Sequence, residues 1–431
     1  ARMHVAAFAP QRAGRVVACD GLLMQVEGLQ APLGALVVVK PRDGAADAPA
    51  EVIGFRDDRL LLMALERAAI SPGDRAMLYG QADQVGTGAA VFGRVCDAMG
   101  APIDSLGPVR VDGSWPLGGR ALPTLARGPV DTSIGSGVRA IDALLTLGRG
   151  QRVGLIAGSG VGKSVLLQQM VRGTQADCVV LALIGERGRE IGSFLSQLSD
   201  RARKRSHVVA VAADAAAPLR VRGVMRAFAI AEWLRADGHH VLLVVDSLTR
   251  VAHAQREIGL AAGEPPGRRG YPPSALDIIP KLVERAGNDR VGGGAITAIL
   301  TVLADGDDLV SDPVVDTARG VLDGHILLDR GIAARGRFPA IDIGLSLSRT
   351  MADCASAPHL RAADRFRKLY ALAEGNRELI AMGAYARGQD AEIDAAFDGL
   401  AAQEAFLAQP PTEAAAFDAS IEALVGGWGQ A

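Results

Sequence analysis

Aromatic side chains are scarce here, only 4% of the 431 residues. That is too few for the base-stacking platforms of single-strand nucleic-acid binders. Cysteine is scarcer still. Cys19, Cys96, Cys178 and Cys354 are the only four, and none has a partner at metal-ligand or redox spacing. They read as small buried apolar residues in a reducing compartment. Neither sign of charge dominates: 46 Lys and Arg face 48 Asp and Glu, a net charge of −2. This excludes a nucleic-acid partner held mainly by bulk charge, though not a local basic channel. No apolar run reaches the ~18–20 residues of a membrane span. No internal repeat, low-complexity tract or secretory-signal pattern is present. What remains is a balanced chain, 49% hydrophobic, long enough for two or three domains with sizeable cores.

The chain falls into three parts. Residues 15–80 carry short β-like runs at 15–19, 22–26, 36–39, 51–55, 60–63 and 75–79, split by Asp-Gly and Pro-Gly breaks. Such spacing predicts a small antiparallel barrel. A stretch rich in glycine and proline follows, to about residue 137. Apolar runs at 179–184, 207–211, 241–245, 295–303 and 324–328 then alternate with helical segments. Continuous apolar strands separated by helices imply an α/β domain with a mostly parallel sheet covered on both faces. Beyond Asp353 the sequence turns helical, alanine-rich and charged. The expected division is a barrel over 1–82, an α/β domain over 83–352 and a helical domain over 353–431.

The most informative residues are Ala157-Gly158-Ser159-Gly160-Val161-Gly162-Lys163-Ser164, between an apolar strand and a helical run that opens at Val165. Strand, glycine loop, Gly-Lys-Ser and helix form the context of a phosphate-binding P-loop. Glycines let successive N–H groups converge on one anion, and the helix N-terminus adds partial positive charge. Gly158 to Val165 are thus nucleotide-binding candidates, with Lys163 reaching the β- and γ-phosphates and the Ser164 hydroxyl holding Mg²⁺. Ala157 stands where the usual pattern has its first glycine; alanine is the smallest replacement, so the loop should persist.

Two more segments fit a nucleotide machine. The apolar run at 241–245 ends in Asp246, a carboxylate placed to hold Mg²⁺, although many strands end in a helix-capping Asp. Ile184-Gly185-Glu186-Arg187-Gly188-Arg189-Glu190 lies at the C-terminal end of another strand, the edge where doubly wound sheets bind ligands. Glu186 there is either a base for an attacking water, with Arg187 steadying charge, or part of a solvated salt-bridged turn. Basic residues 201–205 read as a solvated helix face or a strand entry, and His325 as a satisfied core histidine.

These motifs together resemble the flagellar type III protein-export ATPases. The likeness rests on the Gly-Ser-Gly-Val-Gly-Lys-Ser loop, on Gly185-Glu186-Arg187-Gly188-Arg189-Glu190 and on Asp246-Ser247-Leu248-Thr249-Arg250. Gly263-Glu264-Pro265-Pro266, Gly270-Tyr271-Pro272-Pro273-Ser274, Leu322-Asp323-Gly324-His325-Ile326 and Pro339-Ala340-Ile341-Asp342 extend it. Injectisome ATPases look similar, and the catalytic β subunit of rotary ATP synthases is a more distant match. The resemblance implies a RecA-like P-loop NTPase core and Mg-ATP hydrolysis. It makes Glu186 the water-activating glutamate, Arg187 an arginine near the γ-phosphate and Glu190 a second acid near the metal. It makes Arg349 the arginine finger that enters a neighbour's site; by position alone it is an arginine after a strand. Phe338 falls where the family usually has a tyrosine against adenine; alone it reads as a core aromatic.

One chain would then carry P-loop, glutamate and trans-acting arginine, so a head-to-tail homohexamer could complete every site. The loop from Gly263 to Ser274 reads as a stiff exposed connection, bordering a central pore or forming a plain interface loop. By resemblance the helical part receives chaperone–substrate complexes and a coiled-coil stalk protein. An N-terminal segment binds a dimeric regulator that holds the enzyme at the export gate, on the cytoplasmic face of the inner membrane; the stretch before Arg15 is short for that task. The Glu-Arg-Gly-Arg-Glu and Gly-Tyr-Pro-Pro-Ser sequences favour export over a rotary synthase subunit. A nucleic-acid translocase ranks last, because Phe8, Phe55 and Tyr79 are the only aromatics up to residue 80.

Overall fold

The computed structural model describes residues 13–79, 83–158, 160–304 and 312–429. Strands Ala13–Asp20, Leu23–Glu27, Leu36–Lys40, Ala48–Arg56, Arg59–Ala64 and Arg75–Leu78 close into an antiparallel barrel. Alternation drives it: Val16, Met24, Val26, Val37, Val39, Val52 and Leu62 point inward and are buried together, while their neighbours face out.

A ten-stranded sheet follows. Its main path runs Ile341–Ser348, Gly324–Leu328, Arg152–Ala157, Ala295–Leu303, His240–Asp246, Cys178–Glu186, Ser206–Ala212 and Val95–Cys96. The neighbours on this path are parallel except for Ile341–Ser348, which runs antiparallel to Gly324–Leu328. Both faces are covered. Helix Ala217–Ala236 packs Phe228, Ile230 and Leu234 on one side. Helix Lys163–Gly173 packs Leu166, Leu167 and Met170 on the other. Because strand connections cross over these faces, the C-terminal ends of the parallel strands share one edge, and loops gather there.

Helices Ala357–Ala381, Ala391–Leu407 and Phe417–Trp428 join the second of these cores through Phe366, Phe406, Leu424 and Trp428. Phe366 lies 5.5 Å from Phe406 and 4.7 Å from Trp428 between ring centroids. Several of the chain's few aromatics are thus spent on docking the helical part. No helix among the described residues is long and apolar enough to cross a membrane.

Three sequence expectations need correction. Cys96 and Cys178 are buried, but Cys354 is only partly so and Cys19 is exposed, being near the end of a barrel strand beside a turn. Residues 201–205 form a helix end and a strand entry as expected, between helix Asp200–Lys204 and strand Ser206–Ala212, but Arg205 is not solvated like Arg201 and Arg203: its guanidinium donates to the carbonyls of Val171, Thr174 and Ala176, where the P-loop helix ends, a favoured place for a cation. In the loop from Gly263 to Ser274, Pro265 to Arg269 are exposed but Tyr271 and Pro272 are buried, with Arg256 over the Tyr271 ring at 5.2 Å. His325 is satisfied as expected, its Nε2 lying 2.9 Å from the Leu345 carbonyl.

Candidate active site

Three chain segments meet at the C-terminal edge of the sheet. Strand Arg152–Ala157 delivers the glycine loop; Gly162, at φ +94°, is the N-cap of helix Lys163–Gly173. That left-handed conformation is open to glycine at little cost. Gly160, also at positive φ, has nothing within 4 Å of the position a Cβ would take, so the loop is open towards a ligand. Ser159 lies outside the described residues. Ser164 and Val165 open the helix and are exposed.

Lys163 Nζ contacts Asp246 Oδ1 and lies 3.4 Å from Glu186 Oε1. Asp246 ends strand His240–Asp246 and Glu186 ends strand Cys178–Glu186. Side-chain exposures are 12% for Lys163, 15% for Glu186 and 4% for Asp246. A buried ammonium thus sits between two buried carboxylates, as it must to avoid a large desolvation cost. Thr301 Oγ1 donates to Asp246 Oδ1 at 2.7 Å, fixing that carboxylate from the adjacent strand. Burial pushes the Glu186 carboxyl above the ordinary glutamate range; Lys163 pulls it down, and Asp246 and a hydrogen bond with Glu190 push it further up. A carboxyl raised by desolvation beside a phosphate loop has the character of a general base.

The aim of Glu186 depends on a bulge. Strand register shifts between Ile184 and Glu186 against Ser206–Ala212, and Gly185 between them has φ +72°. A Cβ on Gly185 would meet Arg250 Cβ at 2.9 Å. Gly185→Ala should therefore cost about 1–2 kcal/mol of backbone strain and shift both Glu186 and Arg250. Turnover should fall by about 10²-fold, as a misplacement of about 1 Å can, with nucleotide affinity much less affected; stopped-time hydrolysis with fluorescence titration reads the two apart.

The remaining candidates divide. Arg187 is 77% exposed and pairs loosely with Glu190 at 3.8 Å. Phe338 is 44% exposed, its ring 3.8 Å from where a Gly162 Cβ would be. Arg349 is not at this edge. Ser348 pairs with Gly324, and Arg349 N–H donates to Asp323 O, beside Arg152 where the P-loop strand begins. Sequence reading missed Thr301, Arg250 and Arg330. The Nε of Arg250 is buried without a hydrogen-bond partner among the described residues, and the Arg330 guanidinium lies 3.0 Å from a Gly158 Cβ position. The available signal for the first of these arginines was its place in the first turn of the helix that follows Asp246 in sequence.

The site fits a nucleotide and a hard cation. Asp246, Glu186, Ser164 and Thr301 offer only oxygen ligands, and no cluster of three or more His, Cys, Asp or Glu suited to a metal occurs among the described residues. Oxygen donors of this kind suit a hard divalent cation.

A family model described as the nucleotide-binding domain of the ATP synthase alpha/beta family matches residues 137–348. A second, the T3SS EscN ATPase C-terminal domain, matches residues 355–426. The flagellum-specific ATP synthase of Pseudomonas aeruginosa is 46% identical over 400 residues, covering 92% of this chain and 88% of that protein. That of Salmonella typhimurium is 46% identical over 427 residues, covering 96% and 93%. Among solved structures, the assembled ATPase EscN of the enteropathogenic E. coli type III secretion system superposes with TM-score 0.91 at 39% identity, covering 96% of this chain and 99% of that one. EscN in complex with its central stalk EscO superposes with TM-score 0.87 at 38% identity, over 96% and 99%.

Proposed function

The chain belongs to the flagellum-specific and type III secretion ATPases, and from that premise we propose that it hydrolyses Mg-ATP at subunit interfaces of a homohexameric ring to energise protein export. It is a P-loop ATPase by family. The names of the two relatives favour flagellar service over injectisome service.

In this reading Lys163 leaves its two carboxylates to hold the β- and γ-phosphates, against the backbone N–H groups of Gly158 to Val165. Ser164 and Asp246 would hold Mg²⁺, with Glu190 a second acid nearby. The metal would supply charge neutralisation at the phosphates. Glu186, relieved of Lys163, orients a water and accepts its proton. Arg187 and Arg250 steady charge around the γ-phosphate, and Phe338 lies against the base. Arg349 acts on the neighbour's nucleotide. The observation that carries the proposal is the buried Lys163 bracketed by Asp246 and Glu186, with Arg349 at the far end of the sheet.

The same reading assigns a barrel over 1–82, an ATPase domain over 83–352 and a helical domain over 353–431. It gives the helical domain a coiled-coil stalk and chaperone–substrate complexes as partners, EscO being the stalk partner of EscN. It also expects a dimeric regulator and an export-gate membrane complex, at the cytoplasmic face of the inner membrane. The segment expected to bind the regulator lies largely outside the described residues. A shared-interface enzyme gains sites only as it assembles. Specific ATPase activity should therefore rise with protein concentration in step with the hexamer fraction seen by mass photometry. Activity per subunit that stays flat across the assembly range would overturn the interface mechanism.

A further inference from the structure

Strand Ala295–Leu303 is apolar but for Thr297 and Thr301, both fully buried. A hydroxyl so placed needs a partner, or it costs stability. Thr297, near the start of the strand, accepts from Gly150 N–H at 2.8 Å and meets His240 Nε2 at 2.9 Å. Thr301 lies near the other end. Leu155 is paired with Thr301, and Val245 with Leu300, so Thr301 stands between the P-loop strand and the strand that ends in Asp246. In-register neighbours on parallel strands share a face, which brings Thr301 Oγ1 to Asp246 Oδ1 at 2.7 Å. A second threonine ties the same segments together. Thr249 Oγ1 accepts from Leu303 N–H at 2.9 Å and donates to Leu303 O at 3.3 Å. The turn from Asp246 to Thr249 is thus clamped to the end of the strand at two points.

Among the described residues, the donors to the Asp246 carboxylate are Lys163 Nζ and Thr301 Oγ1, and both fall on Oδ1. They differ in kind. The ammonium ends a long flexible stem, lies 3.4 Å from Glu186 Oε1 as well, and in the proposed function leaves for the phosphates. The hydroxyl belongs to a β-branched side chain, stiff at χ1, on a strand paired on both sides, and it stays. We infer that Thr301 is a positioning residue for a divalent cation: it holds Asp246 Oδ1 after Lys163 departs and leaves Oδ2 as the oxygen available to the cation or to one of its waters. A carboxylate with neither donor would turn freely about its broad terminal torsion. A small cation that demands near-ideal octahedral ligands tolerates such wandering poorly. The inference deepens the proposed function and rests on Asp246 facing the metal.

The test titrates the full chain with a ribose-labelled fluorescent ADP, in EDTA and across a range of Mg²⁺ concentrations. Wild type should bind more tightly as Mg²⁺ rises. Thr301→Val, close in shape, and Thr301→Ala, which adds no bulk, remove the hydroxyl and leave the glycine loop and Lys163 in place. Their affinity in EDTA should stay within about threefold of wild type, which also shows that they fold. The Mg²⁺ concentration at the midpoint of the gain in affinity should rise about 10–100-fold, the usual cost of losing a group that orients a metal ligand. Thr301→Ser keeps the hydroxyl, and its midpoint should stay within about threefold of wild type. A hydroxyl that only fills the core predicts lower melting temperatures and an unmoved midpoint. An unmoved midpoint in both hydroxyl-free variants would overturn the inference, as would a Thr301→Ser shift as large as theirs or a wild type whose ADP affinity ignores Mg²⁺. If wild type does not turn over ATP, the proposed function fails, and the Mg²⁺ midpoints still decide the role of Thr301.

Discussion

Glu186→Gln is expected to bind ATP and fail to hydrolyse it. The substitution keeps the shape and one hydrogen-bonding oxygen but removes the basic carboxylate. General-base catalysis is worth about 10²–10⁴-fold, and kcat should fall by at least that much. Binding should hold, because the carboxylate facing Lys163 at 3.4 Å is a competitor of the phosphates. The wild-type pH profile offers an independent check. Burial raises the Glu186 carboxyl, with Asp246 and Glu190 adding to it and Lys163 opposing it. A base acts when deprotonated, so kcat/KM, which reports the free enzyme, should fall as pH drops through that raised value. The acid limb should therefore lie above the ordinary glutamate pKa of about 4.3, and Glu186→Gln should abolish that limb together with the rate. A variant that still turns over, with the limb intact, would move the base elsewhere.

Legibility in the sequence followed the range of the contacts involved. Each barrel strand was readable because its cause is local: alternation within five to nine residues in strands such as Leu23–Glu27 and Ala48–Arg56, then a turn. The P-loop was readable because strand, glycines, lysine and helix are consecutive. Glu186 was ambiguous, because a charged turn and a catalytic edge look alike until Cys178–Glu186 is paired beside His240–Asp246. Gly185 was readable as a glycine but not as a bulge, since register belongs to two strands. Thr301 looked like one hydroxyl in an apolar run; only its neighbour Asp246, 55 residues away, gives it a role. Gln409 lies 270 residues from the Arg139 N–H it accepts from, and nothing local marks it. Arg205 misled for a related reason: in a basic run, the residue that folds back on a helix end has the same letter as those that do not.

Arg349→Ala carries the other large expectation, and its direction follows from strand polarity. The P-loop strand runs from Arg152 to Ala157, and Gly324–Leu328 lies parallel beside it. The next strand is antiparallel, with Ile341 opposite Leu328 and Ser348 opposite Gly324. Its chain therefore leaves the P-loop edge and reaches Arg349 at the opposite one, roughly 15 Å away along the strands at about 3.3 Å per residue. An arginine there cannot serve its own Lys163, but in a head-to-tail ring the edge carrying it can face the neighbour's loop. Loss of an arginine finger costs about 10³–10⁵-fold in turnover, so Arg349→Ala should bind ATP normally and hydrolyse it at that reduced rate. Mixing separates trans from cis action. Subunits bearing Arg349→Ala keep Glu186, and subunits bearing Glu186→Gln keep Arg349. Random co-assembly at equal amounts makes about one quarter of the interfaces whole again. Two inactive preparations should therefore recover a comparable fraction of wild-type activity when mixed, and lose it on dilution below assembly. An equimolar mixture that hexamerises and stays inactive would show that Arg349 does not complete a neighbour's site, and the ring would need another arginine.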